Sequence, residues 1–190
     1  AHVMENAKKI TLQLPNGETF AANLVGVDEK TDIALLKVKN PINLEAGHFG
    51  DSDAIRVGNQ VFAIGNPFGL GNSVSLGIIS AKERDIDKGP YDNFLQTDAA
   101  INQGNSGGPL FNMDGKIIGM STAIFSEDGK NVGVGFATPS NVVKWVVSQL
   151  KQNGKVIRGW LGMSVQKVFT KDDTNSEALI VSAMGENSPA

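Results

Sequence analysis

Between Lys9 and Pro139 the chain is a succession of short apolar segments, each closed by a turn signal. "KITLQL" (9–14) alternates apolar and polar residues, and "PNGE" follows with Asn16-Gly17 as its turn. "TFAANLVGVD" then reads as the return strand of a hairpin. "DIALLKVK" (32–39) is a further strand, entered through Thr31-Asp32, and residues 40–60 are polar and turn-rich. "VFAIG" (61–65) is short and apolar and ends in "NPFG"; "SVSLGIISAKER" (73–84) is longer. "GPLFNMDGKIIGMSTAIF" (108–125) folds as two strands about Met113-Asp114-Gly115, and "VGVGFATP" (132–139) is one more. About eight short strands at this spacing predict a barrel or sandwich. The lack of crossover helices between them argues against a parallel α/β sheet.

Residues 140–153, "SNVVKWVVSQLKQN", change period. Val142, Val143, Val146, Val147 and Leu150 form a helical apolar stripe. Ser140 is the expected start cap, and Asn153-Gly154 is the expected stop. Such a helix docks on the strands before it. "GKVIRGWLGMSVQKV" then resets the composition and marks a boundary, giving one domain over 1–154. The 36 residues left, 155–190, fall short of the ~50 of an independent domain. The first residues, "AHVMENAKK", lack a start methionine and a leader pattern, and "MGENSPA" carries no cap. A chain cut at both ends is expected.

Composition narrows the chemistry. Hydrophobic residues make up 41% and charged residues 19%, as in a chain that buries a core. The net charge is −3 with no basic cluster, which argues against nucleic acid as a partner. No apolar run approaches the ~18 residues of a membrane span. There is no cysteine, so disulfides, thiol nucleophiles and thiolate metal sites are excluded. Two histidines, His2 and His48, are too few for a multi-histidine metal centre. Neither a metal nor a cofactor is expected.

"AINQGNSGGPLFN" (100–112) places Ser106 among Gly104, Gly107, Gly108 and Pro109. A serine hydroxyl becomes a nucleophile when a base takes its proton, and its reaction needs donors for the oxyanion that forms. A glycine-rich turn exposes the side chain and lets a carbonyl approach the amides. The Gly104 and Ser106 N–H groups are expected to share one pocket. The same residues also read as a tight hairpin turn with an incidental serine. "GNSGG" fits the G-x-S-x-G elbow of α/β-hydrolases, but that elbow needs a helix after the serine and a histidine later in the chain. Here Pro109 and a strand pattern follow, and both histidines precede Ser106.

The order His, Asp, Ser remains open, and it is that of chymotrypsin-type proteases. His2 is the candidate base and Asp32, at the mouth of an apolar strand, the candidate carboxylate. Asp32 equally suits an ordinary strand start, and His2 an ordinary terminal residue. His48, in the polar stretch "EAGHFGDSD", is the rival base and reads as a solvated surface residue.

Seven stretches together resemble the HtrA/Deg high-temperature-requirement serine proteases: "AHVM", "TDIALLKV", "AIGNPFGL", "SVSLGIISAKER", "LQTDAAINQGNSGGPLFN", "GVGFATPS" and "RGWLGM". They run through nearly the whole chain in the family's order. The resemblance implies an all-β, chymotrypsin-like double β-barrel with a C-terminal helix, followed by the start of a PDZ domain. The first barrel would be incomplete, because the family has further strands before its histidine motif. It implies ATP-independent endoproteolysis of unfolded or damaged polypeptides in the bacterial envelope, in the periplasm, by a homotrimer or higher oligomer. Ser106 would be the nucleophile, His2 the general base and then acid, and Asp32 the residue that orients the imidazole. Gly104 and Ser106 would form the oxyanion hole. "STAIF" (121–125) and "GVGFA" (133–137) would wall the primary specificity pocket, with Ser121, Thr122, Ala123, Gly135 and Phe136 in contact with substrate. Neither stretch carries an acidic residue, so small or medium apolar side chains are expected at the cleaved position. Trp160, Leu161 and Gly162 would belong to a PDZ loop that holds a peptide C-terminus. "SEDGKN" (126–131) reads as a mobile surface loop. A non-catalytic, chaperone-like binder of unfolded chains and an esterase are the competing functions.

Overall fold

The computed structural model describes residues 1–39, 44–124, 132–169 and 177–189. It divides into two units, Ala1–Val156 and Ile157–Ala190. In the first, alternation of apolar and polar residues builds an antiparallel sheet of β1 (Ile10–Gln13), β2 (Thr19–Asp28) and β3 (Ile33–Val38), in that order. The β1–β2 turn closes as expected, with the Leu14 amide donating to the Glu18 carbonyl at 2.8 Å and the Gly17 amide to the Leu14 carbonyl at 2.9 Å. The β2–β3 register shifts between Leu24 and Gly26, so the exposed Val25 is a bulge. A single 3-10 turn, Glu29–Thr31, then leads to Asp32 and β3.

The larger part is a closed antiparallel barrel. Its strands are β4 (Gln60–Gly65), β5 (Ser73–Arg84), β6 (Phe94–Thr97), β7 (Pro109–Asn112), β8 (Ile117–Ile124) and β9 (Gly135–Pro139). They run β4-β5-β6-β9-β8-β7 around the barrel, and β4 pairs with β7 to close it. Closure leaves no unpaired edge. The interior holds Val61, Ala63, Ile79, Leu95, Leu110, Ile118 and Ala137, each of the larger aliphatics worth roughly 1.5–3 kcal/mol when fully buried.

Helix α1 (Ser140–Asn153) spans the predicted range. Val143, Val146 and Leu150 bury its stripe against Ile33 of β3. Gly154 ends it in the left-handed region, its amide bonded to the Leu150 carbonyl at 3.0 Å. Its start differs from expectation. Pro139 holds the capping position without a side-chain bond, and the Ser140 hydroxyl instead donates to the Gly50 carbonyl at 3.0 Å. The acceptor for the first turn comes from far back in the chain: the Asn141 amide donates to Ser52 Oγ at 3.1 Å. Asn141 Nδ2 donates to Asp51 Oδ1 at 2.7 Å, and this bond, with a further one from the Asp53 amide, holds the Asp51 carboxyl below its usual range.

The second unit is an antiparallel pair, β10 (Met163–Phe169) and β11 (Glu177–Met184). Its two ends are tied by the Gly185 amide on the Gly162 carbonyl at 2.7 Å and by the Ser188 hydroxyl on the Leu161 carbonyl at 2.7 Å.

Candidate active site

Ser106 sits in the connection between β6 and β7. Residues 102–105 form a β-turn closed by the Asn105 amide on the Asn102 carbonyl at 3.0 Å. Gly104, with φ of 102°, occupies the third position, where a type II turn requires positive φ. A Cβ there would lie 2.4 Å from the Asn66 carbonyl oxygen. The Gln103 carbonyl accepts from the Phe68 amide at 2.9 Å. A trans peptide points its N–H opposite to its C=O, so this bond turns the Gly104 N–H away from the 66–70 segment. Among the described residues, neither the Gly104 nor the Ser106 amide finds an acceptor. They are the two amides that the sequence names as candidate oxyanion donors.

The rest of the turn is pinned to the barrel. The Gly107 amide donates to the Ser121 carbonyl at 2.8 Å, and the Ser121 amide to the Gly108 carbonyl at 2.9 Å. Gly108 passes so close to β4 that a Cβ would lie 2.4 Å from the Ile64 carbonyl oxygen. Gly104 and Gly108 therefore answer to close backbone approaches, whereas Gly107 has open space around it and a φ of 84°.

His2 and Asp32 are joined directly. His2 Nδ1 shares a hydrogen bond with Asp32 Oδ2, and the His2 amide donates to Asp32 Oδ1 at 2.7 Å. The Ala1 ammonium pairs with the same Oδ1 at 2.7 Å. A carboxylate only accepts, so Nδ1 carries the proton and the neutral ring keeps its lone pair on Nε2. Burial raises the Asp32 pKa, but the bonds from the Ala1 ammonium and from the His2 amide and ring outweigh it, so the carboxyl lies below its ordinary value. Asp32 itself adopts φ 57°, ψ 35°, a left-handed conformation that a non-glycine residue keeps only where its neighbours hold it.

His48 lies elsewhere. Its side chain is exposed, and its carbonyl accepts from the Ile117 amide at the start of β8 at 2.8 Å. That is four residues, about 13 Å of strand, from Ser121. The stretches named for the specificity pocket fall on adjacent strands: Ser121 pairs with Ala137, Ala123 with Phe136 and Ile124 with Gly135. Ser121 is fully buried with its hydroxyl unpartnered. Thr122 donates to the Met120 carbonyl at 2.9 Å and meets Thr138 Oγ1 at 2.7 Å. Phe136 packs edge-on against Phe94, ring centres 6.2 Å apart. Phe125 and the 126–131 loop lie outside the described residues. In the second unit Trp160 and Leu161 are exposed and Gly162 has φ of 71°.

Two features escaped sequence reasoning. The Phe68–Gln103 bond joins segments 35 positions apart, and the signal for it, the turn "NPFG", says nothing of its partner. Asn105, beside the nucleophile, is 5% exposed with Oδ1 unpartnered.

The family model described as "Trypsin-like peptidase domain" matches residues 1–120. A protein of Rickettsia prowazekii (strain Madrid E) named "Probable periplasmic serine endoprotease DegP-like" is 50% identical over 99% of this chain and 38% of its own length. A protein of the same name from Rhizobium meliloti (strain 1021) is 50% identical over 94% of this chain and 35% of its own. Among solved structures, "HtrA-type protease AlgW with decapeptide" superposes with a TM-score of 0.89 at 42% identity, covering 99% of this chain and 59% of that one. The serine endoprotease from Yersinia pestis follows with 0.77 at 37% identity, covering 99% and 61%. The chain thus spans under two-fifths of these two curated relatives.

Proposed function

The chain belongs to the trypsin-like serine peptidases of the HtrA, DegP-like kind, and on that premise we propose that it carries the catalytic centre of a serine endopeptidase acting on unfolded or damaged polypeptides. The observation that carries this reading is the His2 Nδ1–Asp32 hydrogen bond, which fixes the tautomer a general base needs. His2 Nε2 takes the proton of Ser106 as its oxygen attacks the scissile carbonyl. The oxyanion falls to the Gly104 and Ser106 amides, which have no competing acceptor among the described residues. His2 returns the proton to the leaving amine, an acyl-Ser106 forms, and a water activated by the same ring releases the product. Asp32 keeps the ring in place and stabilises its charged form.

The described pocket strands, residues 121–124 and 133–137, present no carboxylate, which favours a small or medium apolar side chain at the cleaved position. The curated relatives are named as periplasmic, and the same compartment is proposed for this chain. No helix among the described residues is long and apolar enough to cross a membrane. The division at 154, with residues 155–190 as a linker and partial PDZ domain binding peptide C-termini through Trp160, Leu161 and Gly162, belongs to the same proposal, as does a homotrimer or higher oligomer. Exposed Val74, Leu76 and Ile78 of β5, together with exposed Phe68 and Leu70 in the turn that precedes it in the chain, offer apolar surface for such assembly.

The test is hydrolysis of an unfolded protein beside its folded form, with the intact chain and with Ser106→Ala. The substitution should lower turnover by ~10³ or more while leaving binding of the unfolded chain in place. Full activity in Ser106→Ala would refute the reading. Binding without cleavage by the intact chain would favour the non-catalytic alternative.

A further inference from the structure

The groups assigned to catalysis are divided between two separate sheets. His2 and Asp32 stand with β1–β3, and Ser106 hangs from the barrel. Among the described residues no strand ladder joins the two sheets. Helix α1 is the described element that packs extensively on both, on β2 and β3 to one side and on β8 and β9 to the other.

Ile33 is one peptide from Asp32 and only 2% exposed, seated among Val143, Val146 and Leu150 of α1. Met120 of β8 packs against the same cluster. Its neighbour Ser121 exchanges both backbone hydrogen bonds with Gly107 and Gly108, the residues that follow the nucleophile. A continuous route of covalent bonds and packed side chains therefore runs from Asp32 through Ile33, α1, Met120 and Ser121 to the Ser106 turn. The far end of the helix is seated as closely. A Cβ at Gly26, beside the β2 bulge, would lie 2.4 Å from the Gly154 carbonyl oxygen and 3.2 Å from Leu150 Cδ2.

We propose that Ile33 is a positioning residue: lodged in the α1 cluster, it holds the left-handed Asp32, and with it His2, at the working distance from Ser106. This rests on the reading of Ser106, His2 and Asp32 as a triad. The His2–Asp32 pair sits wholly on one side of the joint, so loosening the joint moves the pair as a unit. The ring keeps its carboxylate, and what is lost is alignment with the serine oxygen. Misplacement on the order of 1 Å costs about 10²-fold in rate, and partial loosening should cost less.

The test titrates active sites of the full chain with a fluorophosphonate, then measures kcat, KM and the pH dependence of kcat per titrated site. Ile33→Ala should lower kcat per site about tenfold with KM and the pH midpoint unchanged, and Ile33→Val should recover most of the loss. Gly26→Ala, which pushes on the opposite end of the helix, should behave like Ile33→Ala, and it decides the matter if Ile33→Ala does not fold. A normal kcat per site with fewer titratable sites would make Ile33 merely structural and overturn the inference. A shifted pH midpoint would also overturn it, because the effect would then lie within the His2–Asp32 pair. No labelling of Ser106 in the unsubstituted chain would overturn the functional reading and this inference together. Labelling with an unaffected Ile33→Ala would overturn the inference alone.

Discussion

At Gly104 a methyl group would sit 2.4 Å from the Asn66 carbonyl oxygen, and the backbone there has φ of 102°. Any side chain must rotate the 103–104 peptide or push the 66–70 segment aside. Gly104→Ala should therefore lower kcat by about 10²–10³ with KM little changed, as loss of one oxyanion donor does. Steady-state kinetics on a peptide substrate reads this directly. Asp32 gives a prediction in pH. Its carboxyl lies below the ordinary value in the folded chain, so the stabilisation is fully present above about pH 4 and is lost as pH falls through the folded value. In urea unfolding, the stability gap between the unsubstituted chain and Asp32→Asn should be present at pH 7 and shrink toward pH 3. A gap that widened on acidification would contradict the assigned direction.

Among the elements, α1 shows how a cap can be supplied by tertiary structure. Ser52 Oγ accepts from the Asn141 amide, so Ser52→Ala should cost roughly 0.5–2 kcal/mol in urea unfolding, a loss that Ser140→Ala should not reproduce through capping. Ser140 was the expected cap because it stands at the right place in the chain, and nothing in the sequence ties "GDSD" at 50–53 to it. β2, β5 and α1 were readable to the residue, since turn signals bound the two strands and a helical stripe runs the length of α1. β6 was not. Its four residues, "FLQT", have buried side chains on both faces and so carry no alternation. The outward face of β5 also reads against pattern, with Val74, Leu76 and Ile78 exposed and Ser73, Ser75 and Gly77 on the opposite face. His2, Asp32, Ser106 and the Gly104 and Ser106 amides could be named as candidates from the sequence because the proposed chemistry demands particular residue types in a particular order. The Phe68–Gln103 bond that orients one of those donors is made by backbone alone and leaves no trace in side-chain identity.

In the whole molecule, His2 and Asp32 stand with the sheet of β1–β3 and Ser106 with the closed barrel, and α1 packs on both; under the proposed function these are two halves of one chemistry. If the paired strands β8 and β9, whose residues 121–124 and 135–139 carry no carboxylate, wall the primary pocket as proposed, a peptide series varied at the cleaved position should show a graded preference. Ala and Val should be cut faster than Lys or Arg, and best cutting after Arg or Lys would refute the pocket assignment. The central claim is that these parts assemble a serine activated by His2 and Asp32. It is tested most directly by treating the chain, beside Ser106→Ala and Asp32→Asn, with a fluorophosphonate probe and locating the adduct by mass spectrometry. The account predicts one adduct, on Ser106, formed much more slowly in Asp32→Asn and absent in Ser106→Ala. An adduct on another residue, or equal labelling of all three chains, would contradict it.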